Sequence, residues 1–322
     1  MFSVRRKVPE RLRAYHGTVR FVVRPPLPER TGGPLARSLP RLRAFCFLRP
    51  QERMHKLSLR RDAATLAAPL ESARERARAV AGSGERFDAF VQLVRDTYPW
   101  TFDKLTEAER ERDYLRLVDH HLEHLVPCVA RYMGPRVRHV LDFGCGSGGS
   151  AIALALVYPD VICTGVDIKP REIAMARKRA ELYGVADRCD FHSIAPGEPL
   201  PFDSATFDFC QCSSVLEYVV DKEIRKFCVR EMTRLLRPGG LLFCSVPNRL
   251  YPLEIHTRKW GWNYFPKLLR AQTVDCTVWE VKRLARPSIL KLHRTPMLDL
   301  FRPWSNFCLR REVADAAGEI PE

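Results

Sequence analysis

The stretch Val140-Leu141-Asp142-Phe143-Gly144-Cys145-Gly146-Ser147-Gly148-Gly149 decides how the rest of this chain is read. Val140 and Leu141 read as the end of a buried strand, Asp142 stands at its tip, and a glycine loop follows before a helix begins near Ser150. Gly144 and Gly146 let the backbone take positive φ and come close to a ligand that a Cβ would push away. The helix N-terminus just beyond offers N–H groups without intrahelical partners. Such a loop suits a ligand with a polar or anionic edge.

The spacing Gly144-x-Gly146-x-x-Gly149 matches the dinucleotide fingerprint, yet glycine turns of this kind serve several nucleotide-like ligands. Asp142 discriminates among them. A carboxylate beside the turn repels a pyrophosphate and suits a ligand with an ammonium or sulfonium group and no phosphate. S-adenosylmethionine is such a ligand, and an NAD-binding oxidoreductase is the alternative that the glycines alone would allow.

With 322 residues, the chain is long enough for one large domain with appendages or for two. No run reaches the roughly 18 apolar residues of a membrane span, so a soluble protein without a transmembrane segment is expected. Eleven cysteines without a CxxC pair point to free thiols in a reducing compartment, hence a cytoplasmic location. The net charge of +15 is concentrated: residues 1–60 hold fifteen Lys+Arg against three Asp+Glu, whereas residues 101–322 hold 32 against 29. The basicity therefore says little about the part carrying the glycine loop.

Residues 1–60 are broken by Pro25-Pro26, Gly32-Gly33-Pro34 and Arg49-Pro50. They read as a poorly ordered extension, translated from upstream of a start near Met54. A transit peptide and a nucleic-acid-binding arm are the competing readings. Residues 61–134 read as a helical N-terminal cap. Its helices are expected at about Ala63 to Val80 and Phe87 to Tyr98, the latter stopped by Pro99, followed by a third that opens on the capping box Thr106-x-x-Glu109. Tyr114, Leu117, Val118, Leu122 and Leu125 form the stripe of that third helix. His120, His121 and His124 lie on it, but without a placed fourth ligand no metal site is assigned.

From Gly134-Pro135 strands and helices alternate. Strands are expected at Val137–Asp142, Val161–Asp167, Cys189–Ile194, Phe207–Cys212 and Leu241–Val246. Helices are expected at Ser150–Tyr158, Arg171–Tyr183 and Glu223–Leu236, with Arg237-Pro238-Gly239-Gly240 as the turn into the fifth strand. The alternation implies a parallel sheet with helices on both faces, binding ligands at the C-terminal strand ends. Asp142, Asp167, Ser213 and Asn248 fall there. Asp167 ends the second strand, where a carboxylate can accept both hydroxyls of a ribose or cap the next helix.

Together, VLDFGCGSGG, GVDI, LPFDSATFDFCQCSSVLEY and LLRPGGLLFCSVPN resemble the class I S-adenosylmethionine-dependent methyltransferases, most closely the small-molecule, quinone-methylase-like group. The resemblance covers roughly residues 100–250. It implies a doubly wound, Rossmann-like α/β fold with a mostly parallel seven-stranded sheet, over residues 135–313, with an aromatic insertion at about 248–275 and a disordered tail at 314–322. It also implies cofactor contacts from Asp142, Phe143, Gly144, Cys145 and Gly146 at the methionine end, Asp167 at the ribose, and Ile168 at the adenine. Ile194, Ala195 and Ser213 complete that set. Two departures stand out. No carboxylate precedes Leu200-Pro201-Phe202, and Glu217-Tyr218 stands where a Glu-His pair commonly follows the fourth strand.

Alignment of acceptor, methyl and leaving sulfur is the main catalytic requirement, and a base is needed only where the nucleophile must lose a proton. The candidates are His256 and Glu254, after the fifth strand, and Tyr218. Tyr251, Trp260, Trp262, Tyr264 and Phe265 either line an acceptor pocket or anchor a long lid. The expected partner is a small-molecule or lipid-like acceptor, methylated on oxygen or carbon. An RNA methyltransferase is the second alternative. It is disfavoured by the near-neutral domain and by the absence of an Asn-Pro-Pro-Tyr or Pro-Cys sequence after the fourth strand.

Overall fold

From His139 onward a helix separates the first strand from the second, the second from the third and the fourth from the fifth, because neighbouring parallel strands need a crossover connection. The computed structural model describes residues 63–82, 84–248, 251–254, 259–261, 277–285, 290–294 and 304–312. The strands are β1 (His139–Phe143), β2 (Ile162–Asp167), β3 (Cys189–Ser193), β4 (Phe207–Ser213), β5 (Leu236–Pro247), β8 (Leu290–Arg294) and β9 (Trp304–Arg311). A separate two-residue hairpin pairs β6 (Leu253–Glu254) with β7 (Lys259–Trp260). The main sheet has the order β3-β2-β1-β4-β5-β9-β8. The first five strands of that order run parallel, and β9 lies antiparallel to both β5 and β8.

The chain leaves β1 toward β2 on one side, and β4 adds on the other. The crevice above the C-terminal ends of β1 and β4 is therefore the topological switch point, where ligands of such sheets bind. Asp142 pairs in register with Gly165 of β2 and Gln211 of β4, which sets the aspartate at the centre of that opening.

The helix after β1, Gly149–Val157, is buried at every position. Its sequence, small or apolar all round, suits a helix with packing on both sides. Beneath it lies the sheet, and above it the cap helices Ala63–Gly82 (α1) and Leu117–His124 (α5) contribute Leu70, Ala73, Val118 and Leu122 to the same core. Thr65–Glu322 is thus one compact unit that includes the cap. Between α1 and α5 come α2 (Glu85–Thr97), α3 (Pro99–Lys104) and α4 (Glu107–Arg110), and after α5 the short α6 (Val126–Val129). Gly149–Val157 is α7, and Pro170–Leu182, α8, follows β2. Its Ile173, Ala176 and Ala180 turn inward as their spacing predicts, while Met175 joins Phe90, Val94, Tyr98 and Leu115 of the cap.

Three expectations are corrected. The single helix expected from Thr106 to Leu125 is divided. The capping box forms, but a π-helical segment at Glu111–Leu115 and a break at Arg116 (φ −105°, ψ 34°) separate α4 from α5. The Arg116 N–H reaches back to the Glu111 carbonyl, a wide turn that re-aims the next helix toward Gly149. Pro99 ends α2 as expected but also starts α3, since a proline at the first helical position loses no hydrogen bond. Arg237-Pro238-Gly239-Gly240 is not a turn before the fifth strand but a bulge inside it. Leu236 pairs with Phe207 and Leu241 with Phe209, and the residues between loop out where Pro238 has no N–H to give.

The helix Lys222–Leu235 (α9) follows β4 with Asp221 as its cap, and Val278–Leu284 (α10) is capped by Thr277. No described helix is long and apolar enough to cross a membrane. Nine described cysteines are free, and of these only Cys128 is less than fully buried. The extension over 1–60 and the tail from 314 lie outside the described residues.

Candidate functional site

The glycine loop turns through three left-handed residues, Gly144 (φ 76°), Gly146 (φ 51°) and Gly148 (φ 82°). The Gly144 and Cys145 N–H groups both donate to the Val166 carbonyl, at 2.8 and 3.0 Å, which folds the loop back over β2. At Gly144 a Cβ would lie 2.3 Å from Cγ2 of Val215, so the missing side chain is where the segment after β4 packs. The third glycine of the fingerprint has a different use. Gly149 has ordinary helical backbone, and a Cβ there would lie 2.5 Å from Leu117 and 2.7 Å from His121. It admits the cap helix to the start of α7. No side chain caps α7, whose N-cap is Gly148, so its first N–H groups face the loop.

Asp142 is 2 % exposed and accepts a hydrogen bond from the Ser150 hydroxyl in the first turn of α7. Burial raises its pKa to about 6. The nearby Asp167 charge adds to the rise, and the Ser150 hydroxyl and the Gln211 amide oppose it. Asp142 therefore faces the helix start, and its charge acts on the loop from beneath. Phe143 and Cys145 are buried on either side of Gly144.

Asp167 is half-buried at the end of β2, and its two oxygens serve two backbone segments. Oδ2 accepts from the Gly146 N–H at 3.0 Å and Oδ1 from the Lys169 N–H at 2.9 Å. Lys169 is the N-cap of α8, which receives no side-chain cap, so Asp167 braces the residue before the helix and does not cap the helix itself. A carboxylate has about four acceptor positions, which leaves capacity for two ligand hydroxyls. Ile168 beside it is 46 % exposed, an apolar face open to the crevice. Ile194 donates its N–H to the Asp167 carbonyl at 3.0 Å and is half-buried, while Ala195 is exposed.

On the β4 side, the Ser213 hydroxyl is buried without a hydrogen-bond partner among the described residues, and Ser214 is left-handed (φ 58°). Backbone of this kind is sparsely populated outside glycine and gathers at functional sites. The one-turn helix Leu216–Tyr218 follows, with Tyr218 43 % exposed. The sequence reading noted Glu217 beside Tyr218 without giving it a role; it is fully buried, with both oxygens unpartnered among the described residues. Its signals were that pairing and its place four residues beyond Ser213, the end of β4. Glu254 lies in β6, opposite Lys259. His256, Trp262, Tyr264 and Phe265 lie outside the described residues. Tyr251 is half-buried and Trp260 exposed.

One buried cation fastens the cap to the loop. Arg179 of α8 is fully buried, donating from Nε to the Ser147 carbonyl at 3.0 Å and from Nη1 to the Tyr114 carbonyl at 2.7 Å. Its guanidinium lies 5.0 Å from the Phe90 ring centroid. His121 is enclosed nearby, and burial lowers its pKa to about 3, so it is neutral. The His120 and His124 rings approach within 4.5 Å, yet no group of metal-ligating side chains is assembled among the described residues.

Residues 140–240 match the family described as a methyltransferase domain. Among curated relatives, the norajmaline N-methyltransferase of Rauvolfia serpentina is 34 % identical over 32 % of this chain and 34 % of its own length. The 27-O-demethylrifamycin SV methyltransferase of Amycolatopsis mediterranei is 32 % identical over 51 % of this chain and 59 % of its own. A ubiquinone biosynthesis O-methyltransferase of Coxiella burnetii is 32 % identical, covering 40 % and 53 %. The chain thus spans between about a third and three fifths of the length of these relatives. Among solved structures, a methyltransferase from Methanosarcina mazei aligns with a TM-score of 0.47 at 20 % identity, over 58 % of this chain and 98 % of that one. The domain built on the β1–β4 switch point is thus a methyltransferase domain.

Proposed function

We propose that this chain transfers a methyl group from S-adenosylmethionine to a small-molecule or lipid-like acceptor. The observation that carries the reading is Asp167, whose carboxylate links the glycine loop to the start of α8 at the edge of the switch-point crevice. The donor set suits the cosubstrate. Asp167 has oxygen lone pairs for ribose hydroxyls, exposed Ile168 offers an apolar face for adenine, and the loop glycines admit close backbone approach. Bound there, S-adenosylmethionine supplies a methyl group on a positively charged sulfur, already electrophilic. The chain's own task is to orient and enclose. In this reading Asp142, Phe143, Gly144, Cys145 and Gly146 form the methionine-end wall, and Ile194, Ala195 and Ser213 complete the enclosure.

The acceptor class is supported by the names of the relatives, which act on an alkaloid, a rifamycin and a quinone precursor, on nitrogen or oxygen. The balance of 32 basic against 29 acidic residues over 101–322 disfavours RNA. Isothermal titration with S-adenosylhomocysteine and with NAD tests the cosubstrate. Micromolar binding of the first and none of the second is expected, and the reverse would overturn the reading. A screen of phenols, amines and quinols for S-adenosylhomocysteine release then identifies the acceptor.

A further inference from the structure

Glu217 is a carboxylate that the fold encloses and leaves unbonded. It is fully buried, and neither oxygen has a hydrogen-bond partner among the described residues. Buried carboxylates are ordinarily paired, because an unpaired one loses its hydration without replacement. The surroundings place it beside the glycine loop. Val215 packs into the space that Gly144 leaves open, which ties the segment after β4 to the glycine loop. Two residues of chain cannot span more than about 7 Å, so the Glu217 backbone stays beside that contact. The left-handed Ser214 bends the chain out of β4 toward this position.

Tyr218, the neighbouring candidate, is 43 % exposed. Burial lifts the Glu217 pKa to about 7, within reach of a proton exchange at neutral pH.

We infer that Glu217 accepts the proton of an attacking acceptor hydroxyl, which makes the acceptor a phenol or related hydroxyl compound. The inference rests on the methyl-transfer reading above. An amine attacks through its own lone pair, whereas a hydroxyl needs a base; an unpartnered carboxylate at this point serves the second case. In the step, the acceptor O–H bond breaks and the proton goes to a Glu217 oxygen. The electron pair left on the acceptor oxygen forms the bond to the methyl carbon. The bond from that carbon to the donor sulfur breaks, and its electrons stay on sulfur as S-adenosylhomocysteine. The same opening of the Ser214–Tyr218 turn that admits the acceptor to the buried Glu217 lets its proton return to solvent as the product leaves.

The test is carbon NMR of full-length protein with glutamate side-chain carboxyls labelled, the Glu217 resonance being assigned by its loss in Glu217→Gln or, should that variant fail to fold, by its shift in Glu217→Asp. With saturating S-adenosylhomocysteine, catechol is expected to move the Glu217 resonance, and 1,2-dimethoxybenzene, which has the ring but no hydroxyl proton, to leave it in place. No response to catechol, or equal responses to both, overturns the inference. Calorimetry on the same sample reads S-adenosylhomocysteine binding separately. Its absence would defeat the methyl-transfer reading itself, and this inference with it.

Discussion

The Gly146 N–H donates to Oδ2 of Asp167 at 3.0 Å, while Oδ1 of the same carboxylate braces the backbone at Lys169. One side chain therefore sets the distance between the loop after β1 and the loop after β2. Replacing it should damage both the cradle and the ligand contacts proposed for it. Asp167→Ala is expected to weaken S-adenosylhomocysteine binding by about 100-fold or more, since charge-assisted hydrogen bonds contribute roughly 1.5–3 kcal/mol each. Isothermal titration reads this directly. Unchanged affinity would remove Asp167 from the site.

The contact between Gly144 and Val215 has a steric signature of its own. Gly144→Ala introduces a Cβ 2.3 Å from Val215 Cγ2 at a backbone φ of 76°. Left-handed backbone costs an alanine roughly 1–2 kcal/mol, and overpacking adds about 1–3. Urea unfolding of the single variants and of Gly144→Ala with Val215→Ala should show favourable coupling of about 1 kcal/mol or more, because the shorter side chain relieves the clash but not the φ. Gly184→Ala is the control, since nothing lies within 4 Å of that position and only the backbone term remains.

Arg179 links three segments, from Ser147 in the loop to Tyr114 and Phe90 in the cap. Arg179→Ala leaves a cavity and two carbonyls without their donor, a loss of about 3 kcal/mol or more. The same variant should weaken S-adenosylhomocysteine binding through the loosened loop, although the guanidinium is buried away from the crevice. Thermal unfolding and titration calorimetry together separate the two effects.

Glu217 also leaves a mark on stability. Its pKa is about 7 in the folded chain, against 4.5 for an ordinary glutamate, so between these values the folded state holds the extra proton. The free energy of unfolding therefore falls as pH rises through this window, by about 3 kcal/mol at 1.36 kcal/mol per unit. Asp142, raised to about 6, shifts in the same sense. The Glu217 share is isolated as the difference between wild type and Glu217→Gln, followed by urea unfolding at pH 5 and pH 8. The variant is expected to gain relative stability toward pH 8.

Much of this architecture was readable because its signals are local. The alternation that predicts parallel strands depends on short apolar runs and on Gly184, whose positive φ ends α8 as its position suggested. The strand ends and glycine turn that carry the proposed cofactor residues were readable because they are positional features. What escaped depends on contacts distant in sequence. Nothing near Arg237 announces that Pro238 will be carried inside β5 by pairing with β4 and β9. The helical periodicity from Tyr114 to Leu125 continues unbroken through Arg116, where the backbone does not. Glu217 was noted but given no role for a related reason: a carboxylate beside an exposed tyrosine reads as surface until burial is known.

The nine free cysteines offer a way to watch this fold move. Of the nine described, eight are buried; hydrogen bonds with Cys189 and Cys244, then burial, raise the pKa of Cys163 and Cys212, and burial raises that of Cys210 and Cys228, so thiolate is scarce there and reagent has no path to it. A maleimide added to the native protein can then modify Cys163, Cys210, Cys212 or Cys244 only while the strand bearing it is transiently open. Mass spectrometry of the modified sites over time would give an opening rate for each layer of the sheet. The interior thus carries its own set of clocks, already distributed across β2, β4 and β5, without a single engineered label.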